Sequence, residues 1–241
     1  MSAAMSAQLS LLIAKGLPCL LLLSASCACF ASIRHVPDQY QNIQSAIDAA
    51  LQGDTILLAR GAYNESVEIP SQGLTIAGPF LLSGDTVLID SCVWRGVNNG
   101  DDTLRCATSA DEGGPQPWVK ISGIRFANAS AHFNEEGGAI RIAGQNAIIE
   151  HCRFDTCSAG FGGAIAVRNA QARIVNCTFT HCGMKQRASI LRVRAAQVLL
   201  DSCVIRSDTS YAPLWESPLL FWVQSSKLTI RNTEFYDNGF T

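Results

Sequence analysis

The sequence predicts an all-β solenoid, a chain wound into coils of about 25 residues and closed at its N-terminal end by a short helix. Three observations carry this expectation. A glycine-led motif recurs, since Gly137-Gly138-Ala139-Ile140-Arg141-Ile142 returns 25 residues later as Gly162-Gly163-Ala164-Ile165-Ala166-Val167. A second motif moves by the same step, from Ile149-Glu150-His151-Cys152-Arg153-Phe154 to Ile174-Val175-Asn176-Cys177-Thr178-Phe179. The runs between turn residues alternate apolar and polar with period two, which is strand spacing, and the units are too short for helix pairs.

The first segment is set apart by composition. Met1 to Ala31 has one cation, Lys15, then an apolar stretch from Leu17 to Leu23, then the small residues Ser24, Ala28 and Ala31. This reads as a secretory signal. The stretch is well short of the ~20 residues that span a bilayer, and Pro18 interrupts a helix near its start. Leu23-Ser24-Ala25-Ser26-Cys27 loosely resembles a bacterial lipoprotein box, so lipidation stays open beside simple cleavage. The expected division is a signal peptide over 1–31 and one domain over 32–241, secreted or in the cell envelope, with no transmembrane segment once the leader is removed.

Eighteen Lys and Arg against twenty Asp and Glu give a net charge of −2, which is no bias towards nucleic acid. Charged residues at 16% and hydrophobic ones at 48% exclude a disordered chain or a charged coiled coil.

Beyond the leader, Ile43, Ala46, Ile47 and Ala50 fall on one helical face, predicting a capping helix over 42–52 that covers the open end of the stack. Thr55 to Ala59, Val67 to Ile69, Leu74 to Ala77 and Val87 to Ile89 read as short strands separated by Arg60-Gly61, Pro70 with Gly73, and Gly78-Pro79. An irregular loop insertion is expected over 92–118. The second motif then occurs five times, at Ile121, Ile149, Ile174, Leu200 and Ile230, in steps of 28, 25, 26 and 30. Each copy has a turn residue two places on: Gly123, His151, Asn176, Ser202 and Asn232. A leucine-rich repeat has a similar period, but its leucine signature is missing and no helical half fits between copies. The chain stops just after a strand, so the C-terminal end is expected to be uncapped, with further coils, a partner subunit or a loop covering it.

Val36-Pro37, Ile43-Gln44-Ser45-Ala46-Ile47-Asp48-Ala49-Ala50, Gly53-Asp54-Thr55-Ile56, Gly61-Ala62-Tyr63-Asn64-Glu65 and Leu74-Thr75-Ile76-Ala77-Gly78 resemble the opening of pectin-lyase-like right-handed parallel β-helix proteins. The Gly-Gly-Ala-Ile and Asn-Cys-x-Phe units resemble repeats of secreted bacterial β-helix proteins and polymorphic outer-membrane adhesins. The resemblance covers about residues 33–240 and implies a right-handed parallel β-helix. It leaves activity open, because lyases, esterases, epimerases and non-catalytic surface proteins share that scaffold. Pectin methylesterases carry an aspartate pair in Gln-Asp-Thr-Leu and Asp-Phe-Ile-Phe-Gly stretches, and neither stretch occurs in this chain.

Seven cysteines follow the leader: Cys92, Cys106, Cys152, Cys157, Cys177, Cys182 and Cys203. Those from Cys152 onward move with the repeat, so stacking explains their spacing without a metal. Vertical neighbours would lie within disulfide range or form a ladder of thiols. Cys92 and Cys106 bracket a glycine-containing loop and are the disulfide candidates. Asp101, Asp102, Asp111 and Glu112 lie in the same stretch, where calcium is an alternative to a solvated loop. No other cofactor is expected.

Aligning the copies puts Ser122, Glu150, Val175, Asp201 and Arg231 in one outward column and Lys120, Ile148, Arg173, Leu199 and Thr229 in another. Neither gathers carboxylates, and the four histidines have no paired nucleophile, so no catalytic residue is assigned. Arg141, Ala166, Arg192 and Trp222 form a further outward column, with Tyr211 and Trp215 in the longest loop nearby. Guanidinium groups beside aromatic rings suit sugars and acidic glycans, so Arg141, Arg192, Tyr211, Trp215 and Trp222 are the ligand-binding candidates. The expected function is non-catalytic presentation of a surface to a polysaccharide or envelope component. The alternative is a polysaccharide lyase or carbohydrate esterase with its site in the variable loops or in further coils.

Overall fold

The computed structural model describes residues 31–97, 104–109, 117–184, 190–206 and 220–236. Its chain winds through three parallel sheets in turn. The first has eight strands: Ile33–Val36, Thr55–Leu58, Thr75–Ala77, Val119–Ser122, Ala147–Glu150, Gln171–Val175, Gln197–Asp201 and Lys227–Arg231. The second has seven: Gly61–Asn64, Cys92–Arg95, Arg125–Ala127, Arg153–Asp155, Thr178–Thr180, Val204–Arg206 and Glu234–Tyr236. The third has six: Val67–Ile69, Ala107–Ser109, Ile140–Ala143, Ile165–Arg168, Leu191–Arg194 and Phe221–Gln224. Each strand pairs with its equivalent one coil away, so like side chains stack along the axis at the ~4.8 Å spacing of neighbouring strands.

The inward stacks are the core. In the first sheet Ile56, Ile76, Ile121, Ile149, Ile174 and Leu200 are direct register partners, all buried. The second sheet carries an aromatic ladder, Trp94, Phe126, Phe154 and Phe179, whose successive ring centroids are 5.5, 5.1 and 4.9 Å apart. Polar tips on this ladder are satisfied at its N-terminal end: Trp94 Nε1 donates to the Glu65 carbonyl at 2.9 Å, and Tyr63 Oη to the Ala59 carbonyl at 2.9 Å.

The corners between the first and second sheets need left-handed backbone. Gly123, His151, Asn176, Ser202 and Asn232 have φ of 67, 50, 52, 53 and 45°, and these are the five turn residues that the repeat alignment marks. A small or amide side chain tolerates this region best, and the sequence mostly supplies one.

Four expectations change: Val87 to Ile89 lies in a 3-10 helix, Thr86–Ser91, and not in a strand, and the other three concern the capping helix, the stretch 92–118 and the cysteines. The capping helix is shorter than 42–52: it runs Ile43–Asp48, with Asn42 as N-cap accepting from Ser45 N at 2.8 Å and Ala49 as C-cap. The Glu65 carboxylate takes the otherwise open Ile43 and Gln44 amides at 3.0 and 3.2 Å, and Ile43, Ala46 and Ile47 are buried beneath. A strand precedes it, Ile33–Val36, paired to Thr55–Leu58. Asp54 ties this start together, accepting from Ser32 N, Ser32 Oγ, Leu51 N and Arg34 Nε at 2.8, 3.0, 2.9 and 2.7 Å.

Secondly, the stretch 92–118 is not one irregular loop, since Cys92–Arg95 and Ala107–Ser109 are strands of the second and third sheets. Residues 98–103 and 110–116 lie outside the described residues.

Thirdly, Cys92 and Cys106 are not bonded to one another. All seven cysteines are buried free thiols. Cys92 starts a strand of the second sheet, and Cys106 immediately precedes a strand of the third, so the two lie at different corners. Cys152, Cys177 and Cys203 stack in one column, each Sγ directed at a backbone carbonyl of the coil below (Ile121, Ile149 and Ile174) at 3.8, 3.5 and 3.5 Å. Burial pushes the Cys92 thiol up to about 12, and burial also raises Cys106 and Cys177.

The leader expected over residues 1–31 falls, but for Ala31, outside the described residues, as does 237–241. No helix among the described residues is long and apolar enough to cross a membrane.

Candidate functional site

The outer face of the third sheet brings together the arginines of the repeat. Register places Arg141, Ala166, Arg192 and Trp222 over one another, the column expected from the alignment. A second column beside it stacks Arg168, Arg194 and Gln224. Arg192 and Arg194 are two residues apart on one strand and therefore share a face.

The loops entering this sheet form a side wall. Ser158–Ala159 pairs with Gly183–Met184, Ser130 bridges Ser158, and Glu136 bridges Phe161. Such close stacking explains the paired glycines of the repeat. A Cβ on Gly138 would lie 2.2 Å from the Gly163 carbonyl oxygen, and one on Gly163 2.1 Å from that of Gly183. The wall delivers Glu136 and Phe161 to the arginine columns.

Arg192 is the centre of the site. Only 8% of the residue is exposed. Its Nε lies 3.2 Å from Glu136 Oε1, a close ion pair without an aligned hydrogen bond. Its guanidinium sits 4.1 Å from the Phe161 ring centroid and 5.9 Å from that of Trp222, and the two rings meet edge to face at 5.9 Å. Burial draws the Arg192 pKa down, Glu136 holds it up, and Arg194 and Arg168 draw it further down. Arg168 directly opposite Arg194 is a like-charge pair that is unfavourable for the fold by itself. The result is a rigid guanidinium between aromatic rings with further arginines beside it, suited to an anionic group carried on a flat apolar surface.

Of the sequence candidates, Arg192 and Trp222 meet here, and Arg141 lies two coils along the same column with Ala166 between. Tyr211 and Trp215 lie outside the described residues. Sequence reasoning missed Glu136, Phe161, Arg168 and Arg194. The last two could have been found by extending the aligned strand by two residues; Glu136 and Phe161 sit in loops whose geometry the period does not set.

The two outward columns of the first sheet also lie as aligned. Their carboxylates have partners: Glu150 is 2.8 Å from Lys120 Nζ, and Asp201 accepts from Asn232 Nδ2 at 3.0 Å. Val175 stands between them in the column. Among the described residues no three His, Cys, Asp or Glu side chains converge as a metal-ligand group. The acids considered for calcium, Asp101, Asp102, Asp111 and Glu112, lie outside the described residues.

Comparison with known proteins agrees with this architecture. Over 118 residues, 48% of this chain and 22% of the relative, the sequence is 28% identical to a protein of Arabidopsis thaliana named "Probable pectinesterase/pectinesterase inhibitor 17". The chain thus spans about a fifth of the length of that curated relative. The family described as "Right handed beta helix region" matches residues 77–241. With that match covering more than half of its length and its strands wound into three parallel sheets, the chain belongs to the right-handed parallel β-helix proteins.

Proposed function

We propose that this protein is a secreted or cell-envelope β-helix that binds an acidic polysaccharide on the outer face of its third sheet, without catalysis. The observation that carries the reading is the arginine lattice: Arg168 stacked on Arg194, with Arg192 held between Phe161 and Trp222. Fixed guanidinium groups recognise carboxylates in a planar, two-bond geometry, and an aromatic ring beside them accepts the apolar face of a sugar. The relative's name points to pectin, whose sugar units carry carboxylates, as the first ligand to try.

The test is affinity electrophoresis through polygalacturonate against neutral dextran. Retardation by polygalacturonate alone is expected, and Arg194→Gln should weaken it about tenfold, equivalent to ~1.4 kcal/mol. Arg194 is exposed, so the variant should keep its fold. Equal mobility in both polymers, or an unaltered Arg194→Gln variant, would overturn the reading. The relative's name also favours a second reading, a carbohydrate esterase, and methanol released from methyl-esterified pectin would establish that one instead.

A further inference from the structure

Around the corner from the arginine lattice, the outer face of the first sheet carries a column that neither the repeat analysis nor the family accounts for. Gln171, Gln197 and Lys227 are direct register partners. Asn146 continues the column below, its Oδ1 accepting from Gln171 N at 2.9 Å. Trp118 lies next, since the adjoining Val119 N donates to the Asn146 carbonyl at 2.9 Å. Four coil steps separate Trp118 from Lys227, ~19 Å along the axis at the parallel-strand spacing.

Gln171, Gln197 and Lys227 are exposed, and an open depression runs beside them. The corner behind the column is built from small residues, Gly144, Ala170, Ala195 and Ser225 among them, and forms a groove of about 790 Å³. A second hollow of about 160 Å³ opens on the sheet side, floored by Trp118, Arg173 and Arg231, and the two meet at Gln171, Gln197 and Lys227. Trp118 is 36% exposed, a large ring left at the surface, and the Arg173 guanidinium lies 5.5 Å from its centroid.

Asn146 is already engaged, but the polar side chains above it in the column are not. Among the described residues the side chains of Gln171, Gln197, Lys227 and Arg231 make no hydrogen bond or ion pair, and Arg173 touches only the Trp118 ring. An amide offers both a donor and an acceptor, which is what a sugar hydroxyl pair needs. A tryptophan face takes a pyranose ring, and three unneutralised cations favour a ligand bearing carboxylates.

We infer that the column Trp118, Asn146, Gln171, Gln197 and Lys227 is a second glycan subsite, taking a uronate-containing polysaccharide strand laid along the solenoid axis. A sugar ring rests on Trp118, hydroxyls meet the amides, and carboxylates meet Lys227, Arg173 and Arg231. The inference rests on the acidic-glycan reading of the protein but uses a different sheet, so the chain holds two strands and bridges them.

Isothermal titration with long oligogalacturonides tests it. The wild type should bind two oligomers per chain. Trp118→Ala and Gln197→Ala should each leave one, with affinity at the lost site down at least about tenfold. Both side chains are exposed, and an unchanged far-UV circular dichroism spectrum would confirm that the variants fold. Arg194→Gln should weaken the other oligomer about tenfold and spare this one. Two oligomers still bound by Trp118→Ala and Gln197→Ala would overturn the second subsite and leave the third-sheet reading standing. One oligomer, lost in Trp118→Ala and kept in Arg194→Gln, would do the reverse. Equal binding of a neutral cello-oligosaccharide at this column would overturn the carboxylate assignment.

Discussion

Removing one ring from the middle of the aromatic ladder should cost far more than removing Phe235, which lies further along the same column beyond Ile205. Phe154 is 1% exposed and sits between Phe126 and Phe179, with centroids 5.1 and 4.9 Å away and ring planes within 9° and 7° of parallel. Phe154→Ala takes a buried phenyl out of a closed stack that cannot collapse, since both neighbours are held by their own strands, so a loss of about 3–5 kcal/mol is expected. Two ring pairs at roughly 0.5–1.5 kcal/mol each supply ~1–3 kcal/mol of that. Phe154→Leu keeps most of the apolar volume and removes only the ring contacts, so its cost should fall near that smaller figure. Phe235 continues the column but is 43% exposed and meets Phe221 only edge to face at 6.2 Å. About half its surface stays wet, so Phe235→Ala should cost on the order of 1 kcal/mol. Urea unfolding followed by tryptophan fluorescence and by circular dichroism measures all three. Similar losses for Phe154→Ala and Phe235→Ala would refute the claim that stacked rings inside the coil hold neighbouring coils together.

Two further outcomes concern charge and thiols. Burial raises the Asp54 pKa, but the Leu51 and Ser32 amides, Arg34 and the Ser32 hydroxyl outweigh it, and the carboxyl is held well below the usual carboxylate range. A folded pKa below the unfolded one means that its contribution is present above about pH 4 and is lost as pH falls further, so the urea midpoint should drop there. Asp54→Asn should be less stable at pH 7 and should lack that part of the acid drop; an equal slope in both proteins would count against the Asp54 cluster. The seven thiols of the described residues should resist a charged thiol reagent at pH 8 in the folded protein and should all react in guanidinium without reductant. Fewer than seven would mean that a disulfide joins two of them.

Much of the fold is legible because a solenoid copies local sequence into space. The 25-residue step between Phe154 and Phe179 becomes a 4.9 Å ring contact, and the turn residues of five aligned copies become five left-handed corners. The stretch 92–118 hid its two strands, because the period breaks just after them: nine residues part Ala107–Ser109 from Val119–Ser122, where later coils have two or three between the same two sheets. The candidate site was half legible. Arg141, Arg192 and Trp222 follow from the alignment, whereas Glu136 and Phe161 reach Arg192 from loops that share no period with the strands.

The amino-acid sequence by itself determined the winding, the inward and outward columns, and the corner positions, because each depends on alternation within a strand and on a repeat length near one coil. Only the tertiary structure decided that Arg192 is buried rather than displayed, that Cys92 and Cys106 lie at different corners, and that Trp118 shares a groove with Gln171, Gln197 and Lys227. Those outcomes depend on how far each loop folds back and on which coil it meets, distances that no repeat within the chain encodes.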